Sequence, residues 1–408
     1  MSGQRRPKRG FSTRAIEAAS RPPAVDQPPT SVPIYQAVTF TSPDAETLGA
    51  VATDDIRGYA YARLDHPTGF ALGEAFAELH DAPAGFGLAS GMAALHAGFA
   101  SVLRAGDRAV AGTALYGTTR HMLIDHFGGL GVEAVFVDPT DLAAVRAAVR
   151  GGPTRLVHVE TIANPTIVVT DIAAVASIAH EAGAILTVDN TFASPYLCQP
   201  LALGADLVVE SATKWLSGHS DVVAGVVAGS TERVGAVRAV EIDTGAMVAP
   251  FSAFLVLRGM MTLAVRMERH SASGVALAAW LERQDGVTRV WHPALATHPQ
   301  HEVASRQLRL GGGMLAFEVA GGRAAGGALI DALTIPARTA SLGSVHTMVV
   351  HPPSTTHRQL DAAALATAGI AEGLLRVSVG LEDLEDLQAD LAAGLEAARA
   401  ASPSGVTA

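Results

Sequence analysis

Residues 171–190 have the sequence DIAAVASIAHEAGAILTVDN, and this stretch decides the fold. Its first part, Asp171–Ala182, has the composition of a helix, with Asp171 suited to cap its start and Gly183 suited to end it. A short apolar strand, Ala184–Val188, follows directly. A helix and a buried strand in such close succession are typical of an α/β protein with a parallel sheet.

The same alternation continues on both sides of this stretch. Further strands are predicted at Arg108–Ala111, Val132–Val137, Arg155–Val159, Asp206–Val209 and Val222–Ala228, and further helices at Ala93–Leu103, Ala114–Phe127 and Asp141–Val149. After about residue 245 the pattern changes to a long helical stretch, strand-like pieces and a C-terminal helix, at Ala253–Arg283, Val287–Trp291, Met314–Val319, Leu374–Val379 and Leu384–Arg399. We therefore predict an α/β fold with a large, mainly parallel-sheet domain and a smaller C-terminal α+β domain.

The composition narrows the possible functions. Hydrophobic residues make up 49% of the 408 residues and charged residues 17%, which allows a large core and excludes a disordered chain. Lys and Arg number 29 against 39 Asp and Glu, a net charge of −10, so we expect no nucleic-acid partner and no membrane surface as a partner. The single cysteine, Cys198, cannot form an intrachain disulfide, and we expect a reducing, cytoplasmic location.

Residues 1–33 differ from the rest of the chain. Five prolines lie within residues 21–33, and proline is incompatible with the interior of a helix or a central strand. We interpret residues 1–33 as a mobile arm or an extended crossing segment. The basic residues near the start lead into polar residues instead of the apolar run of a signal peptide, and no apolar stretch reaches the ~18 residues of a membrane span.

Two polar residues follow predicted strands, where ligands of parallel sheets bind. Lys214 ends the segment Ser211-Ala212-Thr213-Lys214, and it is either a Schiff-base lysine or an ordinary surface lysine. Asp189 follows Ala184–Val188, and it either pairs with a cationic ring nitrogen or caps a turn. Together the two provide the amine and the acid that pyridoxal phosphate requires.

Three more segments are candidates for ligand binding. Gly85–Met92 precedes a predicted helix, whose free amides suit a phosphate group better than a dinucleotide because the fingerprint spacing is missing. Tyr116 could stack on a ring or pack in the core. Arg376, inside an apolar strand, could hold a substrate carboxylate or form an internal salt bridge.

In this order the segments resemble the Cys/Met-metabolism family of pyridoxal-phosphate enzymes, the γ-family of fold type I. The resemblance covers roughly residues 11–400. The matching stretches are Tyr61–Arg63, Ser90–Met92, Leu115–Gly117, Glu160–Thr166, Val188–Thr191, Ser211–Lys214, Ser341–Gly343 and Arg376–Asp383. Each stretch is a weak signal alone, but eight in the same order are highly specific.

The resemblance implies a fold type I enzyme with pyridoxal 5'-phosphate as cofactor. Lys214 would carry the cofactor and move protons, Asp189 would keep the ring nitrogen protonated, and Tyr116 would stack on the ring and assist the leaving group. The implied cofactor-binding residues are Tyr61, Arg63, Ser90, Gly91, Met92, Tyr116, Asn164, Asp189, Ser211, Thr213 and Lys214. Arg376, Asn164 and Ser341 would grip the substrate carboxylate.

The resemblance also implies an assembly. Tyr61 and Arg63 would reach the phosphate bound to the neighbouring subunit, so the active sites would be shared across a dimer within a homotetramer. The implied organisation is an N-terminal arm (1–60) that contacts the neighbouring subunit, a large cofactor-binding domain (61–250) and a C-terminal domain with a long linking helix (251–408).

The resemblance leaves the reaction open between two alternatives. The first is α,γ-elimination on methionine or a related thioether, which gives 2-oxobutyrate, ammonia and a thiol. The second is γ-replacement, in which an O-acylhomoserine is joined to a sulfur nucleophile. Thr118, where methionine lyases typically have cysteine, weakens the first, and Ala340, where cystathionine enzymes typically have glutamate, weakens cystathionine cleavage. A catalytically inactive binding protein of the same fold is a third alternative, which the intact Lys214, Asp189, Tyr116 and Arg376 disfavour.

Overall fold

The computed structural model describes residues 9–19, 29–358, 361–367 and 369–402. Much of the expected N-terminal arm, at residues 1–8 and 20–28, lies outside these described residues. The described part contains a seven-stranded and a five-stranded β-sheet. Its α-helices are α1 (Phe11–Ala19), α2 (Ala45–Ala52), α3 (Pro67–Leu79), α4 (Gly91–Val102), α5 (Gly117–His121), α6 (Leu142–Arg150), α7 (Ile172–Glu181), α8 (Ser194–Leu197), α9 (Thr231–Thr244), α10 (Pro250–Met260), α11 (Leu263–Leu281), α12 (His301–Gln307), α13 (Gly322–Ala332), α14 (Ala362–Thr367) and α15 (Leu384–Ala401).

The larger sheet is mainly parallel, as predicted. Its strands are β1 (Ala84–Leu88), β2 (Arg108–Gly112), β3 (Glu133–Val137), β4 (Thr154–Glu160), β5 (Ile185–Asp189), β6 (Leu207–Glu210) and β7 (Gly225–Gly229). They lie in the order β1-β7-β6-β5-β4-β2-β3, and β7 runs antiparallel to its neighbours β1 and β6. Because β4, β5 and β6 are parallel, the polar residues at their carboxyl ends meet at one edge of the sheet.

The smaller sheet belongs to the C-terminal part of the chain. Its strands are β8 (Val287–Trp291), β9 (Met314–Val319), β10 (Ala337–Arg338), β11 (Met348–Val350) and β12 (Leu374–Ser378), in the order β10-β11-β12-β9-β8. All pairs except β10 with β11 are antiparallel. Helices α13 and α15 pack together over this sheet and bury Leu329 and Leu391, among others, in a core of their own. The prediction of a second, smaller α+β unit is therefore confirmed.

Three predicted elements differ from the observed ones. The glycine-rich stretch begins as strand β1, and Gly85 is needed there because a Cβ would lie 2.3 Å from the carbonyl oxygen of Gly73 in α3. The long helical stretch at 253–283 is two helices, α10 and α11, that meet at an angle of 61°. The helix predicted from Ala114 starts at Gly117 and continues as a π-helix over Met122–Phe127.

The expectation of a mobile or extended segment is wrong for residues 11–19, which form α1. Phe11, Ala15 and Ala18 are spaced to share one helix face, and this face is buried against the same chain. The guanidinium of Arg14 donates to Asp81 Oδ1 at 2.8 Å and ties α1 to the end of α3. The predicted boundaries at residues 60 and 250, and the contact of the arm with a neighbouring subunit, stay predictions.

Among the described residues, no single helix has the length and apolarity to cross a membrane. The bent pair α10 and α11 meets those two criteria jointly. Both helices contribute buried side chains to the core, such as Val256 and Met267.

Candidate active site

A cavity of about 240 Å³ opens at the carboxyl ends of β4, β5 and β6. It is lined by Ser90, Gly91, Met92, Leu95, Tyr116, Glu160, Ile162, Asn164, Asp189, Thr191, Phe192, Ser211, Thr213, Lys214, Val223, Ala340, Leu342 and Arg376. Most of the residues predicted from the sequence therefore come together in one place. Of the other three, Ser341 contacts Lys214 directly, whereas Tyr61 and Arg63 lie outside this lining.

Lys214 lies in the turn after β6, and its amine belongs to the cavity. Nζ donates a hydrogen bond to Ser341 Oγ at 2.8 Å. Burial, and then the positive charge of Arg376, lower the pKa of Lys214 to about 8. A larger share of the amine is thus neutral near pH 7, and the neutral amine is the nucleophile and the base. The interpretation of Lys214 as an ordinary surface lysine is excluded.

Two carboxyl groups lie side by side where β4 and β5 end. Asp189 and Glu160 are direct partners in the parallel register. Burial raises the pKa of Asp189, against the opposing effect of its hydrogen bonds from Thr191. Burial, and then the charge of Asp189, raise the pKa of Glu160 to about 8. Two adjacent buried carboxyl groups favour a bound cation, which allows both to ionise.

The start of α4 also lines the cavity, next to the segment that follows β6. Ser90 caps this helix, since its Oγ accepts a hydrogen bond from the Ala93 amide at 3.0 Å. A Cβ at Gly91 would lie 2.7 Å from the Cβ of Ser211, so glycine is needed for this close approach. Thr213 lies beside them, and its hydroxyl accepts from the Ala224 amide at 3.0 Å. Helix-start amides beside two hydroxyl groups make an anion-binding surface.

Arg376 lies on β12 and reaches the cavity from the smaller sheet. Its Nη1 donates to Asn164 Oδ1 at 2.7 Å, and its Nη2 donates to the Ser341 carbonyl at 2.9 Å. These partners are an amide oxygen and a carbonyl oxygen, so Arg376 forms no internal salt bridge within the part of the chain that the structure describes. Burial lowers the pKa of Arg376 to about 10, which leaves it charged at neutral pH. A buried cation that keeps its full charge suits an incoming carboxylate.

Tyr116 presents its ring to the cavity and is 44% exposed, so it does not pack in the core. Its backbone amide donates to Glu160 Oε1 at 2.6 Å. The exposed ring can therefore cover a planar ligand without giving up packing elsewhere.

Tyr61 and Arg63 are not brought to this cavity within one chain. The guanidinium of Arg63 donates to the Ile242 carbonyl at 2.6 Å and lies 5.7 Å from the centroid of the Tyr61 ring. Tyr61 is 42% exposed. The predicted contact of this pair with a phosphate in a neighbouring subunit stays a prediction.

The residues that line the cavity offer the groups needed to bind pyridoxal 5'-phosphate. The start of α4, with Ser211 and Thr213, suits the phosphate, and the close approach at Gly91 shapes this cradle. Asp189 suits the ring nitrogen, and Lys214 supplies the amine that reacts with an aldehyde. Fold and site together define a fold type I enzyme dependent on this cofactor.

The chain belongs to the family of Cys/Met metabolism PLP-dependent enzymes, whose model matches residues 12–396. It is 42% identical to the L-methionine gamma-lyase of Porphyromonas gingivalis, over 95% of this chain and 97% of that protein. It is 40% identical to the O-succinylhomoserine sulfhydrylase of Pseudomonas aeruginosa, over 95% of each chain. The crystal structure of cystathionine gamma synthase from Xanthomonas oryzae pv. oryzae superposes with a TM-score of 0.90 at 36% identity, over 97% of this chain and 100% of that chain.

Sequence reasoning missed several residues of the lining. Glu160 closes β4 and was inside a quoted stretch, so the rule of inspecting polar residues at strand ends could have found it. Thr191, two residues after Asp189, satisfies the same rule. The apolar residues Phe192, Val223 and Leu342 carry no comparable signal in the sequence.

Proposed function

We propose that this protein cleaves L-methionine or a related thioether by α,γ-elimination and releases 2-oxobutyrate, ammonia and a thiol. The similarity to an L-methionine gamma-lyase over nearly the whole of both chains supports this proposal. Pyridoxal 5'-phosphate, when bound, supplies the electron sink that makes the hydrogen at Cα acidic.

Lys214 is the proposed base. Its Nζ would take the proton from Cα, pass that proton on to the bound cofactor and, neutral again, take a proton from Cβ, so that the bond from Cγ to sulfur can break. The lowered pKa of about 8 supports this role because it raises the neutral fraction of the amine. Ser341, 2.8 Å from Nζ, orients the amine.

Tyr116 and Asp189 have complementary proposed roles. The phenol of Tyr116 gives a proton to the departing thiolate, and its ring covers the cofactor. The carboxylate of Asp189 keeps a proton on the ring nitrogen. Ser90, Gly91, Met92, Ser211 and Thr213 hold the phosphate.

Arg376 and Asn164 are the proposed clamp for the substrate carboxylate. The hydrogen bond of 2.7 Å between them fixes the guanidinium, whose remaining N–H groups can pair with two carboxylate oxygens. Ser341 completes the clamp, because its carbonyl accepts from Nη2 of the same guanidinium.

Methionine is proposed as the substrate because part of the cavity lining is apolar and uncharged. Ala340, Leu342 and Val223 line the cavity together with the cationic pair Lys214 and Arg376. A methylthio group suits such surroundings, whereas the distal ammonium and carboxylate of cystathionine would find no opposite charge at Ala340. We therefore expect an uncharged thioether to be preferred.

The experiment compares L-methionine with L-cystathionine as substrates of the cofactor-loaded protein. We expect kcat/KM to be at least about tenfold higher for methionine, from the cost of leaving charged groups unpaired. The variant Ala340→Glu should reduce this preference, and Ala340→Gln is its uncharged control. A preference for cystathionine in the wild-type protein would contradict the proposal.

A γ-replacement transferase is the second candidate function, and the exposure of Val223 and Tyr116 at the cavity supports it, because a thiol could enter from solvent. The similarity to an O-succinylhomoserine sulfhydrylase points the same way. Incubation with O-succinylhomoserine and a thiol distinguishes the two: a new thioether indicates replacement, and 2-oxobutyrate indicates elimination.

The proposed assembly is a cytoplasmic homotetramer built from dimers that share their active sites. Within each dimer, Tyr61 and Arg63 of one chain bind the phosphate held by the other. The exposure of Tyr61 supports this, because no core packing withdraws it from such a contact. Residues 1–60, 61–250 and 251–408 are the proposed arm, cofactor-binding domain and C-terminal domain.

A further inference from the structure

Glu160 joins two loops that follow different strands. Its Oε1 accepts from the Tyr116 amide at 2.6 Å, and its Oε2 accepts from the Asn164 amide at 3.1 Å. Glu160 is the last residue of β4, and it is 5% exposed. One buried carboxyl group therefore fixes the loop after β2 and the loop after β4 at the same time.

Each of these loops carries one contact of the proposed site. The loop after β2 presents the ring of Tyr116 to the cavity. The loop after β4 carries Asn164, whose Oδ1 accepts from Arg376 Nη1 at 2.7 Å. A shift of Glu160 would move the ring and the arginine clamp together.

Burial and the neighbouring carboxyl group make this position unfavourable for a glutamate. The two backbone N–H groups that it accepts from explain why a carboxyl group is found here. Glu160 is buried and lies beside Asp189, which resists its ionisation. Glutamine would avoid this repulsion, but it offers one acceptor oxygen and one donor nitrogen. Glutamine can therefore serve one of the two backbone N–H groups and must face the other with a donor.

We propose that Glu160 is a positioning residue that locks the Tyr116 loop to the Asn164–Arg376 clamp. The inference rests on the proposed function only in taking an amino-acid carboxylate as the ligand of the clamp. It concerns no step at Cγ, so any amino acid that binds can report on it.

The test is a spectral titration of the holoenzyme with glycine, which has no leaving group at Cγ. In Glu160→Gln we expect the Kd for glycine to rise about tenfold, because one buried backbone N–H group then loses its acceptor. The visible circular dichroism band of the bound cofactor should weaken at the same time, because the ring of Tyr116 is displaced. Glu160→Asp keeps two acceptors on a shorter arm and should give an intermediate Kd.

Glu210→Gln is the matched control. Glu210 is equally buried and ends β6, but its Oε1 accepts from Asn190 Nδ2 at 2.8 Å and not from either loop. It should change the Kd for glycine by less than about twofold, since its acceptor oxygen is kept in glutamine. A residue that merely fills the core would lower thermal stability in both variants and change neither Kd nor the dichroism.

A wild-type Kd and dichroism in Glu160→Gln would overturn the inference. If Glu160→Gln does not fold, Glu160→Asp decides by the same two readouts, and unchanged values again overturn it. Failure of the proposed function is a separate result: wild-type holoenzyme that binds glycine but does not cleave methionine.

Discussion

The cavity at the ends of β4, β5 and β6 and the segment Tyr61–Arg63 differ in how far a single chain completes them. In the cavity, Lys214 is held by Ser341 and Arg376 is held by Asn164, both through side chains of the same chain. The guanidinium of Arg63, by contrast, donates to the Ile242 carbonyl and lies near the Tyr61 ring, and both residues are exposed. Within one chain the groups proposed for catalysis are therefore fixed by their neighbours, whereas Tyr61 and Arg63 lie exposed, as the proposed contact with the phosphate of a second subunit requires.

Among the cavity residues, substitution of Lys214 should reduce turnover most. Lys214→Ala removes the proposed base and the proposed attachment point of the cofactor, so turnover should fall by at least about 1,000-fold. Lys214→Arg is the control that keeps the charge without a reactive amine, and it should be equally inactive. Keto-acid release and the visible spectrum measure both; an unchanged spectrum in Lys214→Ala would contradict the assignment.

Removal of the Arg376 guanidinium should come next. Arg376→Ala leaves Asn164 without its partner and removes the charge that meets the substrate carboxylate, so KM for methionine should rise about 100-fold. Arg376→Lys keeps the charge but loses the paired N–H groups. Its KM should lie between the values for the wild-type protein and for Arg376→Ala. Steady-state kinetics decide; a lowered kcat with unchanged KM would place Arg376 outside the clamp.

Mixing two inactive variants tests whether Arg63 acts in the active site of the neighbouring subunit. Subunits carrying Lys214→Ala and subunits carrying Arg63→Ala should form hybrids in which one site has both native residues, so random pairing restores about a quarter of the wild-type activity. The control is either variant refolded alone, which stays inactive. No restored activity in confirmed hybrids would mean that Arg63 serves its own chain.

The smallest expected effect is a shift in pH dependence. Because the pKa of Lys214 is lowered to about 8, its amine loses its proton as the pH rises through this value. The rate at which the apoenzyme takes up cofactor should therefore rise with pH and level off above about 8, whereas an ordinary lysine would level off near about 10.4. Stopped-flow absorbance over a pH series measures the midpoint, and a continued rise to pH 10 would be the contrary result.

The parts of the fold and of the site that could be predicted from the sequence are those indicated by residues close together in the chain. The start and end of α7 were predictable because Asp171 caps through its own side chain to the Ala174 amide and Gly183 has a positive φ of 70°. Lys214 and Asp189 were predictable because they lie close to the carboxyl ends of apolar strands: Asp189 ends β5, and Lys214 lies in the turn after β6.

The parts that could not be predicted depend on contacts between distant segments. The bond from the Tyr116 amide to Glu160 spans 44 positions, and no periodicity encodes it. The angle of 61° between α10 and α11 has the same origin: Arg266 donates to the carbonyls of Gly259 and Trp215, so packing and not the helix pattern fixes the break. Helix α1 was missed because its short apolar face is apparent only against the surface that covers it.

The most direct test of the central claim is 2-oxobutyrate release from L-methionine alone by the cofactor-loaded protein. We predict steady turnover, with ammonia and methanethiol formed in amounts equal to the keto acid, and no turnover with the Lys214→Ala variant. Absence of keto acid, while glycine still changes the spectrum of the bound cofactor, would contradict the elimination and leave γ-replacement as the function of this site.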